Sequence, residues 1–139
     1  MEAESSRIIA ISGASGFVGV RLSRALQHAG WSVVALSRQE IAGHANTLAD
    51  RLRGARGIIN LAGAPILGRW TPAYKKILVD SRIGVTRRLV EAMAIMPERP
   101  KFFLSTSAVG YYAEGRRQTE ASYTQADNFL GHQIGRAHV

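Results

Sequence analysis

Short apolar runs alternate with amphipathic segments along this chain. Arg7-Ile8-Ile9-Ala10-Ile11-Ser12 is apolar almost throughout and ends on glycine, the pattern of a strand buried on both faces. Val18, Leu22, Ala25, Leu26 and Ala29 then recur at helical spacing until Gly30 stops them. Trp31 to Leu36 predicts a second strand, Gln39-Glu40-Ile41 a very short one, Ala45 to Arg53 a helix, and Gly57 to Leu61 another buried strand. Thr71-Pro72 suits the start of a long helix, with threonine as N-cap and proline at the first helical position. Its inner face would be Leu78, Val85, Leu89, Ala92 and Met96, with Lys75, Lys76, Arg87 and Arg88 mostly outward, and Pro97 and Pro100 end it. Lys101 to Thr106 predicts a last strand. Strands alternating with helices imply a parallel sheet covered on both faces, because each crossover lays a helix across the sheet. The expected class is α/β, doubly wound.

Composition narrows the function classes. The 139 residues fit one domain, and 46% hydrophobic with 20% charged residues is a globular balance. No apolar run approaches the ~20 residues that span a bilayer, and the N-terminus lacks a signal-peptide core. The chain has no cysteine, which excludes disulfides, thiolate metal sites and a cysteine nucleophile, and makes the cytoplasm the expected compartment. The four histidines share no ligand spacing with carboxylates, so no metal is expected. The formal net charge is +8, almost all of it arginine. These arginines are scattered, form no tract and are not interleaved with aromatics, so the charge predicts neither a nucleic-acid nor a membrane partner. The expected partner is a small-molecule substrate.

The chemistry concentrates between the first strand and the first helix. Gly13-Ala14-Ser15-Gly16-Phe17-Val18-Gly19 has the spacing G-x-x-G-x-x-G. Glycines there let the main chain turn tightly and approach a pyrophosphate, while the helix N-terminus supplies unpaired N–H groups and the positive end of its dipole. A strand before and an amphipathic helix after are the context that turns a glycine triplet into a dinucleotide motif. At the end of the second strand, an NAD site places a carboxylate on the ribose 2′-hydroxyl. Here Ser37-Arg38 stands instead, with no acid until Glu40. An arginine pairs with a 2′-phosphate, which favours NADP over NAD. The competing account is a purely structural turn and a solvated Arg38.

These segments, with Asn60-Leu61-Ala62-Gly63-Ala64-Pro65-Ile66, Gly68-Arg69-Trp70-Thr71, Asp80-Ser81-Arg82-Ile83 and Ser105-Thr106-Ser107-Ala108-Val109-Gly110-Tyr111-Tyr112, resemble the extended short-chain dehydrogenase/reductase superfamily of the epimerase/dehydratase type, and within it the "epimerase family protein" branch. The resemblance implies a Rossmann-like sheet and an NAD(P)-binding oxidoreductase or epimerase acting on a nucleotide sugar or another carbonyl or hydroxyl substrate. It implies that Asn60, Leu61, Ala62 and Gly63 run beside the adenosine half of the cofactor. It places Ser107 where the family keeps its catalytic serine or threonine, beside the nicotinamide. The superfamily's Tyr-x-x-x-Lys pair, due near His132, does not occur; Tyr111 and Tyr112 are candidate substitutes, and Tyr123 lies in a polar stretch. Its absence motivates the alternative of a non-catalytic NADP(H)-binding regulatory or scaffold protein.

Arg69 and Trp70 invite two accounts, a ligand contact or packing of the long helix's start. The family's members continue well past this length, so residues 1–132 are expected to be an incomplete, C-terminally truncated NAD(P)-binding domain. Residues 133–139 resemble a translated sequencing adapter and are expected to be a non-native tail. A sheet stopped there would leave one edge and some apolar surface uncovered.

Overall fold

Four apolar residues and a closing serine, Ile8–Ser12, form β1, an interior strand of a four-stranded parallel sheet ordered β2-β1-β3-β4. The computed structural model describes residues 6–107, 115, 117–122, 129, 131 and 132. Around β1 the chain runs through α1 (Phe17–His28), β2 (Ser32–Leu36), α2 (Arg38–Ala42), α3 (Ala45–Arg51), β3 (Gly57–Asn60), α4 (Pro72–Val79), a π-helical turn at Asp80–Gly84, α5 (Val85–Ala94) and β4 (Phe102–Ser105). Among the described residues no helix is long and apolar enough to cross a membrane.

Successive strand side chains point to opposite faces, and the core divides accordingly. Ile9, Ile11 and Ile59 face α1, whose Leu22 and Leu26 pack on them with Trp31 and Val33. Ala10 and Ile58 face the other way, into a larger cluster of Ile41, Leu48, Leu52, Leu89, Ala92 and Met96 from α2, α3 and the α5 segment. Helices on both faces make the sheet doubly wound. The α1 side is thinner toward β4, where Leu104 is 55% exposed. Phe102, on the same face, lies over Gly57, where a β-carbon would run into its ring.

Two expected elements differ. Gln39-Glu40-Ile41 is not a strand but part of α2, because Ser37 and Glu40 form a reciprocal capping box: the Ser37 hydroxyl accepts from the Glu40 amide (3.1 Å) and the Glu40 carboxylate accepts from the Ser37 amide (2.7 Å). The long helix after Thr71 is not continuous either. Thr71 caps it as expected, its hydroxyl accepting from the Tyr74 amide at 3.1 Å. The π turn then inserts one extra residue, so the inward positions Leu78 and Ile83 stand five apart. The inner face past the turn becomes Ile83, Thr86, Leu89, Ala92 and Met96, and Val85 is only half-buried.

Candidate functional site

The chain leaves β1 for β2 on one side and returns to β3 on the other, so the C-terminal ends of β1 and β3 form the sheet's switch point, where ligands settle in open α/β sheets. The glycine turn and the Leu61–Gly63 segment meet there. Gly13 has φ +74°, a conformation L side chains rarely adopt, and a β-carbon on it would lie 2.8 Å from the Leu61 carbonyl. Gly19, buried in the first turns of α1, is tighter: its β-carbon would lie 2.2 Å from the Gly13 carbonyl oxygen. Glycine at both positions brings α1 down onto the strand ends.

Gly16 is the N-cap of α1, with no side-chain cap and no acidic residue in the first turn. The Gly16 amide donates to Gly13 (3.1 Å) and the Val20 amide to Gly16 (3.0 Å), while those of Phe17, Val18 and Gly19 find no acceptor among the described residues. Three backbone donors at the positive end of a helix dipole suit an anionic oxygen. Phe17 and Val18 themselves are exposed, Phe17 carrying the Arg21 guanidinium 4.0 Å over its ring. Ala14 is half-buried and Ser15 exposed on the same turn.

Arg38 is exposed at the first position of α2, just past β2. The nearest acid, Glu40, is committed elsewhere. Its carboxylate accepts from the Ser37 amide and, at 2.7 Å, from Arg51 Nε, which together hold its pKa down to about 2. Along the chain, Glu40 is the one acid between residues 5 and 49.

Asn60 ends β3 and is 3% exposed. Its side-chain carbonyl accepts from the Ser12 hydroxyl (2.5 Å) and the Ala62 amide (3.2 Å); its NH2 donates to Thr86 Oγ1 (3.2 Å) and Ser105 Oγ (3.3 Å). One side chain thus joins β1, β3, β4 and α5 and turns the Ala62-Gly63 backbone. Thr106 donates to the Asn60 main-chain carbonyl from both its amide and its hydroxyl, each at 3.0 Å. Ser105 and Thr106 are therefore parts of this network, and Ser107, next along and exposed, follows them past the strand end. Tyr111, Tyr112 and Tyr123 lie outside the described residues.

Sequence reasoning gave Ser12, Thr86, Tyr74, Ser81 and Arg82 no role. Thr86 carried a signal, as a polar residue on an apolar helical face; Ser12 was a polar end to an apolar strand. The Tyr74 hydroxyl donates to the Pro65 carbonyl at 2.5 Å, and Trp70 Nε1 donates to the Ile66 carbonyl at 2.9 Å while its ring tilts against Phe129. Trp70 therefore braces the loop and the start of α4, and Arg69 is exposed beside it. Ser81 Oγ accepts from the Ala64 amide (2.9 Å) and donates to the Leu78 carbonyl (3.0 Å), pinning the same loop to the π turn. A groove lined by Asn46, Asp50, Arg53, Met96 and Glu98 opens at the other end of the sheet and contains none of these residues.

A doubly wound parallel sheet with a glycine turn at its switch point defines a Rossmann-like dinucleotide-fold protein. The chain belongs to the NAD dependent epimerase/dehydratase family, whose model matches residues 9–133. It is 33% identical over 138 residues to the Bacillus subtilis epimerase family protein YfhF, covering 89% of this chain and 46% of that protein. To the chloroplastic SDR39U1 homolog of Arabidopsis thaliana it is 31% identical, covering 78% of this chain and 36% of the relative. The crystal structure of human epimerase family protein SDR39U1 with NADPH superposes with a TM-score of 0.82 at 27% identity, over 94% of this chain and 47% of that one. The UDP-glucuronic acid 4-epimerase of Bacillus cereus shares the fold at 20% identity and a TM-score of 0.79, over 94% of this chain and 50% of that one. The chain thus spans at most about half the length of these relatives.

Proposed function

We propose that this chain is the cofactor-binding portion of an NADP(H)-dependent oxidoreductase or epimerase of the short-chain type, acting on a nucleotide sugar or another small carbonyl or hydroxyl compound. The observation that carries the reading is the pairing of three amides at Phe17–Gly19, without acceptors among the described residues, with an exposed Arg38 and a Glu40 already occupied by Ser37 and Arg51. The residues fit the cofactor's phosphates: glycines 13 and 19 bring backbone donors to the switch point, and no acid in the first turn of α1 opposes an anion. Arg38 answers a 2′-phosphate, and Glu40, the acid next to it in the chain, is taken up by Ser37 and Arg51 rather than offered to a 2′-hydroxyl. The NADPH in the human relative's structure supports the same choice.

The bound nicotinamide supplies hydride chemistry. On this chain, Asn60 turns Ala62-Gly63 alongside the adenosine half, and Ser107 holds the substrate oxygen by hydrogen bonding. A second reading, a non-catalytic NADP(H) sensor or scaffold, draws on the missing Tyr-x-x-x-Lys pair. Calorimetric titration of the chain with NADPH and NADH tests the shared part: NADPH is expected to bind at least about tenfold more tightly, and Arg38→Ala to erase the difference. Absence of heat with both nucleotides overturns the proposal. Carbonyl-dependent NADPH oxidation by a full-length relative, lost when its counterpart of Ser107 becomes alanine, separates enzyme from sensor.

A further inference from the structure

The Asp80-Ser81-Arg82-Ile83 segment has no part in the function above, yet its arginine stands in an unusual place. The π turn delivers the Arg82 side chain to the loop leaving β3, where a β-carbon on Gly63 would lie 3.4 Å from Arg82 Nη2. The guanidinium is half-buried. Of its five N–H donors, Nη2 donates to the Ala64 carbonyl at 3.3 Å and Nη1 to Ser81 Oγ at 3.4 Å, both long. The ion pairs of the described residues join Arg51, Arg53 and Arg88 to acids, and none involves Arg82. Burial lowers its pKa, the Tyr74 phenol works in the opposite direction, and no carboxylate among the described residues pairs with it. A partly desolvated cation held by two neutral acceptors is under-compensated, because charged groups taken from water are ordinarily paired.

We infer that Arg82 is an anion-recognition residue of the ligand site, its guanidinium held over Gly63 to take an oxyanion, phosphate or carboxylate, at the C-terminal edge of β3. Gly63 leaves the room, and Ser81 fixes both the loop and the guanidinium through one hydroxyl. The oxyanion comes either from the dinucleotide's phosphates or from an acidic substrate bound beside it. The inference rests on the ligand site proposed above but not on the cofactor being NADP.

The test compares Arg82→Gln, which keeps a neutral donor for Ala64, with Arg82→Lys, which keeps the charge. The probes are NADPH, and inorganic phosphate titrated into the NADPH-saturated chain. Weakening of NADPH by about tenfold or more in Arg82→Gln, with Arg82→Lys largely retained, assigns the oxyanion to the dinucleotide. Unchanged NADPH affinity with phosphate binding lost only in Arg82→Gln assigns it to the substrate. Equal binding of both probes by Arg82→Gln and the parent overturns the inference while leaving the glycine turn's role intact. Should either variant fold poorly, peptide mapping of the parent chain after arginine-specific modification decides: NADPH, or phosphate with NADPH, protects Arg82, and a lack of protection by both overturns it. Failure of NADPH to bind the parent at all is a failure of the cofactor site instead.

Discussion

The Ser12 hydroxyl and the Asn60 side-chain carbonyl, 48 residues apart, share a buried 2.5 Å hydrogen bond that ties the ends of β1 and β3 together at the switch point. Asn60→Leu leaves Ser12 without its acceptor, and Thr86 and Ser105 without their donor, in a buried setting. The variant is expected to lose about 3 kcal/mol in urea unfolding, and Thr86→Val, which removes one acceptor alone, about 1 kcal/mol. Equal losses would mean that Asn60 is not the hub.

Alanine ordinarily stabilises a helix over glycine by about 1 kcal/mol. Gly19→Ala is expected to do the reverse, costing about 2 kcal/mol or more, because its β-carbon meets the Gly13 oxygen at 2.2 Å and the Ala14 backbone at 2.7 Å, neither of which can swing aside. Gly16→Ala, whose β-carbon meets the same oxygen at 3.3 Å, is the milder change. Thermal unfolding and NADPH titration of both variants should rank them in that order.

Glu40 makes stability depend on acid. Its folded pKa of about 2 lies below its ordinary 4.5, with the Ser37 amide first among the causes and the Arg51 hydrogen bond next. Its stabilising contribution is therefore complete above pH 4.5 and is lost as pH falls through the folded value. NMR titration of the Glu40 carboxyl should show its midpoint rising toward the ordinary value in Arg51→Ala. A Glu40→Gln chain should show a flatter fall in stability across the same window.

Gly84 clears the way for an ion pair across the π turn. Arg88 reaches Asp80 with Nη2–Oδ1 at 3.0 Å and Nη1–Oδ2 at 3.4 Å, and a β-carbon on Gly84 would sit 2.2 Å from that Oδ1. Gly84→Ala alone should gain little, since it displaces Asp80. In an Asp80→Ala background the same change should gain about 1 kcal/mol, and a double-mutant cycle by denaturant unfolding reads the difference.

The order of strands and helices, the class of sheet and the phosphate-type turn were legible in the chain itself, because apolar period and glycine placement are local properties. So were the Thr71 cap and most of the face from Leu78 to Met96. Local pattern misled where hydrogen bonding outranked it. Gln39-Glu40-Ile41 looked like a strand, but the Ser37–Glu40 capping box winds them into α2. An unbroken helix was expected where the π turn shifts the inner face to Ile83 and Thr86.

What the sequence determined on its own is therefore a doubly wound frame with backbone donors poised at one helix start. Tertiary structure alone decided which polar side chains serve that frame. Asn60 became a hub, Glu40 was withdrawn from the strand end toward Arg51, and Arg82 was carried to Gly63. The partners in these arrangements lie between 1 and 48 positions apart along the chain, and only the pairing of parallel strands and the packing of helices brings the distant ones within hydrogen-bonding range.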